Sequence, residues 1–160
     1  MSRRVKVLLC AETLMLAAAV TYLLILLFGV KLPVSPYYGL VNTDPALTFQ
    51  AVNPCSGRLR QSVRFEAVNA GGDPYRYDSQ FRLEVKQDGA WRVLPRGKWP
   101  YESRMSPGYL APYSESDSIY ASWEWLYGEL PPGAYRMVKE FVNMATGCTS
   151  VAAAEFVIPS

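Results

Sequence analysis

Apolar and polar positions fall into two regimes along this chain. From Thr13 to Val30 no charged residue interrupts a run of Leu, Ala, Val, Ile and Phe. Beyond residue 46 the pattern changes to period two, the mark of strands with one buried face. Thr48 to Val52 opens this part. Val63, Phe65 and Ala67 alternate with Arg64 and Glu66. Phe81, Leu83 and Val85 alternate with Gln80, Arg82, Glu84 and Lys86, and Asp88-Gly89 then predicts a tight hairpin returning through Trp91 to Leu94. Ile119, Ala121 and Trp123 alternate with Tyr120, Ser122 and Glu124. Tyr135, Met137 and Lys139 alternate with Arg136, Val138 and Glu140, and Ala154, Phe156 and Ile158 give a last strand. About seven short strands separated by Pro/Gly turns predict an all-β sandwich.

The first regime predicts one N-terminal transmembrane helix. About 18 residues at ~1.5 Å rise span roughly 27 Å, close to the hydrocarbon thickness of a bilayer. Arg3, Arg4 and Lys6 precede the run, which favours a cytoplasmic N-terminus and an exported remainder. A cleaved signal peptide is the competing reading, because Ala17-Ala18-Ala19 is a small-residue cluster. The strongly apolar Tyr22 to Phe28 behind it, and the lack of a small-x-small site after Val30, favour an uncleaved anchor. Cys10 follows the bulky Leu9 and lies too early for a lipoprotein cleavage site, so it reads as a small apolar helix residue. The chain thus divides into a basic cytoplasmic tail (1–12), an anchor in the lipid bilayer (13–30), a linker (31–46) and an extracellular sandwich (47–160). Pro33, Pro36, Gly39 and Asn42 make the linker read as an extended spacer lifting the domain off the membrane.

Charge refines this picture. The 160 residues carry a formal net charge of +2, but Arg3, Arg4, Lys6 and Lys31 flank the apolar run. The exported part keeps 12 basic against 13 acidic residues. It has no basic block to neutralise a phosphate backbone, so nucleic acid is excluded as a partner. The chain contains no histidine, which removes the commonest general base and the commonest metal ligand.

Leu130-Pro131-Pro132-Gly133-Ala134-Tyr135 is a turn leading into a strand that opens with tyrosine. In immunoglobulin-like sandwiches a tyrosine at such a place bonds its hydroxyl back to the corner's backbone. The plainer reading of Tyr135 is a surface residue after a Pro-Gly turn. Phe81-Arg82-Leu83-Glu84-Val85-Lys86, Gly89-Ala90-Trp91-Arg92-Val93-Leu94-Pro95 and the run from Trp123 through Tyr127, Gly128, Leu130, Gly133 and Tyr135 to Lys139 carry a wider likeness. They resemble a bacterial immunoglobulin-like domain family found mainly in exported or lipid-anchored proteins of Gram-positive bacteria. The resemblance covers roughly Leu47 to Pro159 and implies a fold and a location, with no catalytic residues to carry over. The long Gly97 to Tyr113 connection and the pair Cys55 and Cys148 depart from that pattern.

Few groups suggest chemistry. Cys55 and Cys148 both sit in turn contexts. Outside the cell they are expected to form a disulfide closing a long loop, the alternative being two separate thiols. Two thiols without histidine make a poor zinc site. Glu115 and Asp117 would share one strand face, but Ser114 to Ser118 reads more simply as a solvated loop entering a strand. Serines with Lys86 or Lys98 lack a strand-turn-helix nucleophile elbow. Trp91 and Trp123 occupy inward registers and read as core, and Trp125 to Gly128 as packing of the sandwich end. Trp99, Tyr101, Tyr109 and Tyr113 lie in the long connection, where binding residues often reside, and form the candidate partner-binding loop; a loop folded over the sandwich edge is the alternative. The expected function is a membrane-anchored extracytoplasmic binding or structural module, without cofactor, meeting an envelope protein or polysaccharide. The alternative is an inhibitor of an exported hydrolase, which requires the long loop to be rigid and protruding.

Overall fold

A computed structural model describes residues 32–52, 62–97 and 107–159. The anchor at 13–30 lies outside them, and no helix among the described residues is long and apolar enough to cross a membrane. Residues Pro33–Ser160 form one compact unit, built as two packed antiparallel sheets.

The smaller sheet has the order β1-β2-β7, with β1 at Leu47–Val52, β2 at Ser62–Asn69 and β7 at Ser114–Ser122. The larger is organised on β8 (Gly133–Asn143). β9 (Thr149–Ile158) runs along one side of β8, from Gly133↔Ile158 to Val142↔Thr149. On the other side β8 pairs first with β4 (Arg82–Gln87) and then with β3 (Tyr75–Tyr77). β5 (Ala90–Val93) lies outside β4, and β6 (Gly108–Leu110) outside β3. One helical turn, α1 (Glu124–Tyr127), follows β7.

The alternation places the core. Phe49 and Phe65 from the small sheet meet Phe141 and Phe156 from the large one, with ring centroids 5.8 and 5.9 Å apart. Trp123, fully buried before α1, and Tyr135 both stack on Phe156 at 5.3 and 5.8 Å. Such aromatic pairs contribute beyond their buried area. The Asp88-Gly89 hairpin forms as its sequence demands: both residues have positive φ (50° and 75°), and Gln87 faces Ala90.

β3 and β6 were not anticipated. Each is three residues long, too short for a periodic signal. β6 belongs to the long connection that reads as loop, so Gly108 to Leu110 is sheet, with Leu110 buried. Gly108 is required there, because a Cβ would sit 2.0 Å from the Tyr77 ring.

The largest departure concerns the spacer. Residues 33–42 do not extend away from the domain but are strapped onto it. Val34 forms an antiparallel bridge with Arg92 on the β5 edge, and Val41 a parallel bridge with Val151 on the β9 edge. The strap therefore crosses the outer face of the large sheet. Proline content foretells the absence of a helix but not whether an extended segment finds a sheet to lie on.

Candidate functional site

The strap and the sheet face beneath it make the most organised polar site among the described residues. Glu84 on β4 and Arg136 on β8 stand opposite each other in register, both on outward positions. Strand alternation alone would leave them solvated, yet they are 0 % and 4 % exposed because the strap covers them. Arg136 Nε donates to Glu84 Oε2 at 2.7 Å. The Ser35 hydroxyl donates to Glu84 Oε1 at 2.7 Å and accepts from Arg136 Nη2 at 3.2 Å. The guanidinium lies over Trp91, 4.7 Å from the ring centroid. Trp91 thus faces outward beneath the strap, half-buried, and not into the core as its register suggested. Two charges withdrawn from water carry a large desolvation cost, which only close geometry and further hydrogen bonds offset; all are present here.

Backbone bonds fix the same segment. Val93 N–H donates to Pro33 O at 2.8 Å and Ser35 N–H to Trp91 O at 2.9 Å. At the far end Asn42 acts as an added rung. Its N–H donates to Val151 O, while its side-chain amide pairs with both Ala153 N–H and Ala153 O. Asp44 accepts the hydroxyls of Tyr75 and Ser150, each at 2.7 Å. Burial pushes the Asp44 carboxyl up, but these bonds and the one from Ala46 N–H outweigh it and hold it below the usual carboxylate range. Tyr37 lies between Arg82, 5.1 Å from its ring, and Glu140, whose carboxylate accepts its hydroxyl at 2.9 Å. Burial and the Glu140 bond raise the Tyr37 pKa.

Beside the strap runs an open groove of about 750 Å³, walled by Pro33, Pro36 and Tyr37 on one side and by Arg82, Arg96 and Tyr127 on the other. It is wide and charge-balanced, with no concentrated polar focus. Below it, Lys139 takes an inward position with its side chain fully buried. Its ammonium donates to Asp78 O at 2.6 Å and Gln80 O at 3.0 Å and lies 4.8 Å from the Tyr77 ring centroid. It ties down the β3–β4 connection. Burial pulls its pKa down to about 8, with Asp78 offsetting part of the effect.

The residues singled out in the sequence are scattered. Tyr135 makes the corner: its hydroxyl donates to Pro131 O at 2.7 Å, and burial raises its pKa. Tyr109 and Tyr113 are exposed, the latter at φ 53°, but Trp99 and Tyr101 lie outside the described residues. Asp117 accepts the Tyr77 hydroxyl at 2.5 Å and so ties the two sheets together. Leu126 and Tyr127 of α1 pack the sandwich end, Tyr127 with its hydroxyl on the Leu83 N–H. Cys148 is exposed and its thiol is free, so the expected bridge is not formed in this structure; Cys55 lies outside the described residues. Among the described residues no group of three or more Asp, Glu, Cys or His gathers into a metal site.

Solved structures offer only distant likenesses. The archaellum periplasmic stator protein FlaG from Sulfolobus acidocaldarius matches 70% of this chain and 99% of its own at 16% identity, with a TM-score of 0.38. The putative ApaA protein from Bordetella pertussis matches 71% of this chain and 89% of its own at 18% identity, with a TM-score of 0.36. No curated protein sequence matches the chain. A family model for the bacterial Ig-like domain, by contrast, matches residues 46–156, which contain the nine strands of the described residues except the last two residues of β9. With the two-sheet sandwich and the tyrosine corner in place, the chain belongs to the bacterial Ig-like domain family.

Proposed function

We infer that this protein is a single-pass, membrane-anchored module with its Ig-like domain on the extracytoplasmic side, acting by binding or structural support and not by catalysis. The observation that carries the reading is the buried Ser35–Glu84–Arg136 cluster. It builds the segment just after the apolar run into the domain. A domain joined this closely to a bilayer anchor is suited to holding a partner at the membrane surface, and less to searching for one on a long tether. The partner class is an envelope protein or polysaccharide.

The alternative, an inhibitor of an exported hydrolase, needs a protruding, rigid loop between Gly97 and Tyr113. The described part of that connection counts against it, since β6 pairs with β3 and Leu110 is buried. Crosslinking in intact cells, followed by purification from carbonate-washed membranes, tests the reading. It expects the full chain in the membrane fraction with an envelope component attached. Recovery in the soluble fraction, or capture of a hydrolase whose activity the protein suppresses, would overturn it.

A further inference from the structure

The two faces of the strap differ in an unusual way. Ser35 and Tyr37 turn towards the sheet, where their hydroxyls meet Glu84 and Glu140. Val34, Pro36, Tyr38 and Leu40 turn away, and Val34, Tyr38 and Leu40 are 56%, 86% and 58% exposed. One side of the strap thus bares three large apolar or aromatic side chains, while Ser35 and the Tyr37 hydroxyl are tied down to the sheet. The outer face of the small sheet shows the ordinary arrangement, with Thr48, Gln50 and Arg64 exposed.

We propose that the outward row Val34, Pro36, Tyr38 and Leu40 is a second membrane contact, which seats the domain on the headgroup layer of the bilayer. The proposal rests on the anchor reading above and adds to it where the domain touches lipid. Chain length supports it. Three residues, Lys31, Leu32 and Pro33, separate Val30, the end of the apolar run, from Val34, so four chain steps put Val34 at most about 14 Å from the end of that run. The headgroup layer on each side is roughly 5–8 Å deep, so the chain is short enough for the first strap residues to reach it.

The backbone is prepared for that environment too. Pro33 and Pro36 have no N–H, and the N–H groups of Ser35, Tyr37 and Leu40 donate to Trp91 O, Ser35 Oγ and Tyr37 O. Those three donors would lose no water without compensation on approaching lipid. Tyr38, at the tip of the turn closed by the Leu40 N–H to Tyr37 O bond, joins an apolar ring to a polar end, the combination enriched at headgroup depth.

The test places the photocrosslinker p-benzoylphenylalanine in the full chain at Tyr38, and separately at Tyr120, which is exposed on the small sheet. Each protein is reconstituted into phosphatidylethanolamine–phosphatidylglycerol vesicles, irradiated, carbonate-washed and weighed by mass spectrometry. The expected result is a lipid-mass adduct at 38 and none at 120, with the adduct at 38 lost when Val34→Ser and Leu40→Ser are added. No lipid adduct at 38 on chains that survive the wash would overturn the proposal while leaving the anchor intact. A chain-to-chain adduct at 38 would overturn it in favour of a second copy. Release of the chain by the wash would remove the anchor reading and this inference with it.

Discussion

The Ser35 hydroxyl reaches the Glu84 carboxylate at 2.7 Å across 49 positions of sequence. Ser35 comes from the segment that follows the apolar run, and Glu84 from a strand paired to the centre of the large sheet. Their contact makes the strap part of the domain's stability. It also removes Glu84 and Arg136 from water, so the pair depends on the strap as much as the strap depends on the pair.

Ser35→Ala is therefore expected to destabilise the compact unit 33–160 by about 1–3 kcal/mol, since one oxygen of a buried carboxylate loses its donor. Arg136→Met alone is expected to cost more, on the order of 3–5 kcal/mol, because it strands the Glu84 charge. Glu84→Leu combined with Arg136→Met should recover much of that loss. Urea denaturation reads all three, with Thr48→Ala as an exposed control. If Ser35→Ala behaves like that control, Ser35 contributes nothing to the domain.

Tyr135→Phe removes a hydroxyl that donates to Pro131 O at 2.7 Å. The ring stays stacked on Phe156, so the expected loss is the hydrogen bond alone, about 1 kcal/mol and up to about 3 if the carbonyl stays dry. An unchanged denaturation midpoint would mean that the corner bond does not stabilise the fold.

Much of this architecture was legible in the chain and some was not, for identifiable reasons. Strands with alternating residues on both sides of a turn were readable, as was the Asp88-Gly89 hairpin. Tyr135 was readable because a corner is local. β3 and β6 were hidden by their length. The outward faces of Glu84 and Arg136 are a different case: the pleat says which face a side chain takes, but a strap 49 and 101 residues upstream decides whether that face is wet. Lys139 shows the converse. Its inward register was legible, yet only the fold reveals the carbonyls of Asp78 and Gln80 that receive its ammonium.

Lys139 gives a signed pH dependence. Its folded pKa is lowered to about 8 from 10.5, so between those values the unfolded chain binds more protons than the folded one. Its contribution to stability therefore rises with pH from about 8 to about 10.5; below 8 the full cost of burying the charge is present. Comparing the parent with Lys139→Met by urea denaturation at pH 7 to 10 isolates the effect. The stability difference should shift in favour of the parent as pH rises, and a flat difference would contradict the buried ammonium.

Gly108→Ala should destabilise the β3–β6 pair, because its Cβ would fall onto the Tyr77 ring, which the Asp117 bond holds in place. Overpacking of this kind costs roughly 1–3 kcal/mol. The loss should shrink in a Tyr77→Leu background, and equal losses in both backgrounds would place the strain elsewhere.

The central claim is that the residues following the apolar run are built into the Ig-like domain. Amide hydrogen exchange on the full chain in lipid tests it most directly, at Ser35 and Asn42, whose N–H groups donate to Trp91 O and Val151 O, each at 2.9 Å. Both amides are expected to exchange at least about 100-fold more slowly than unstructured peptide, as structured segments do. Exchange at unstructured rates, with β8 still protected, would show a free tether and contradict the account.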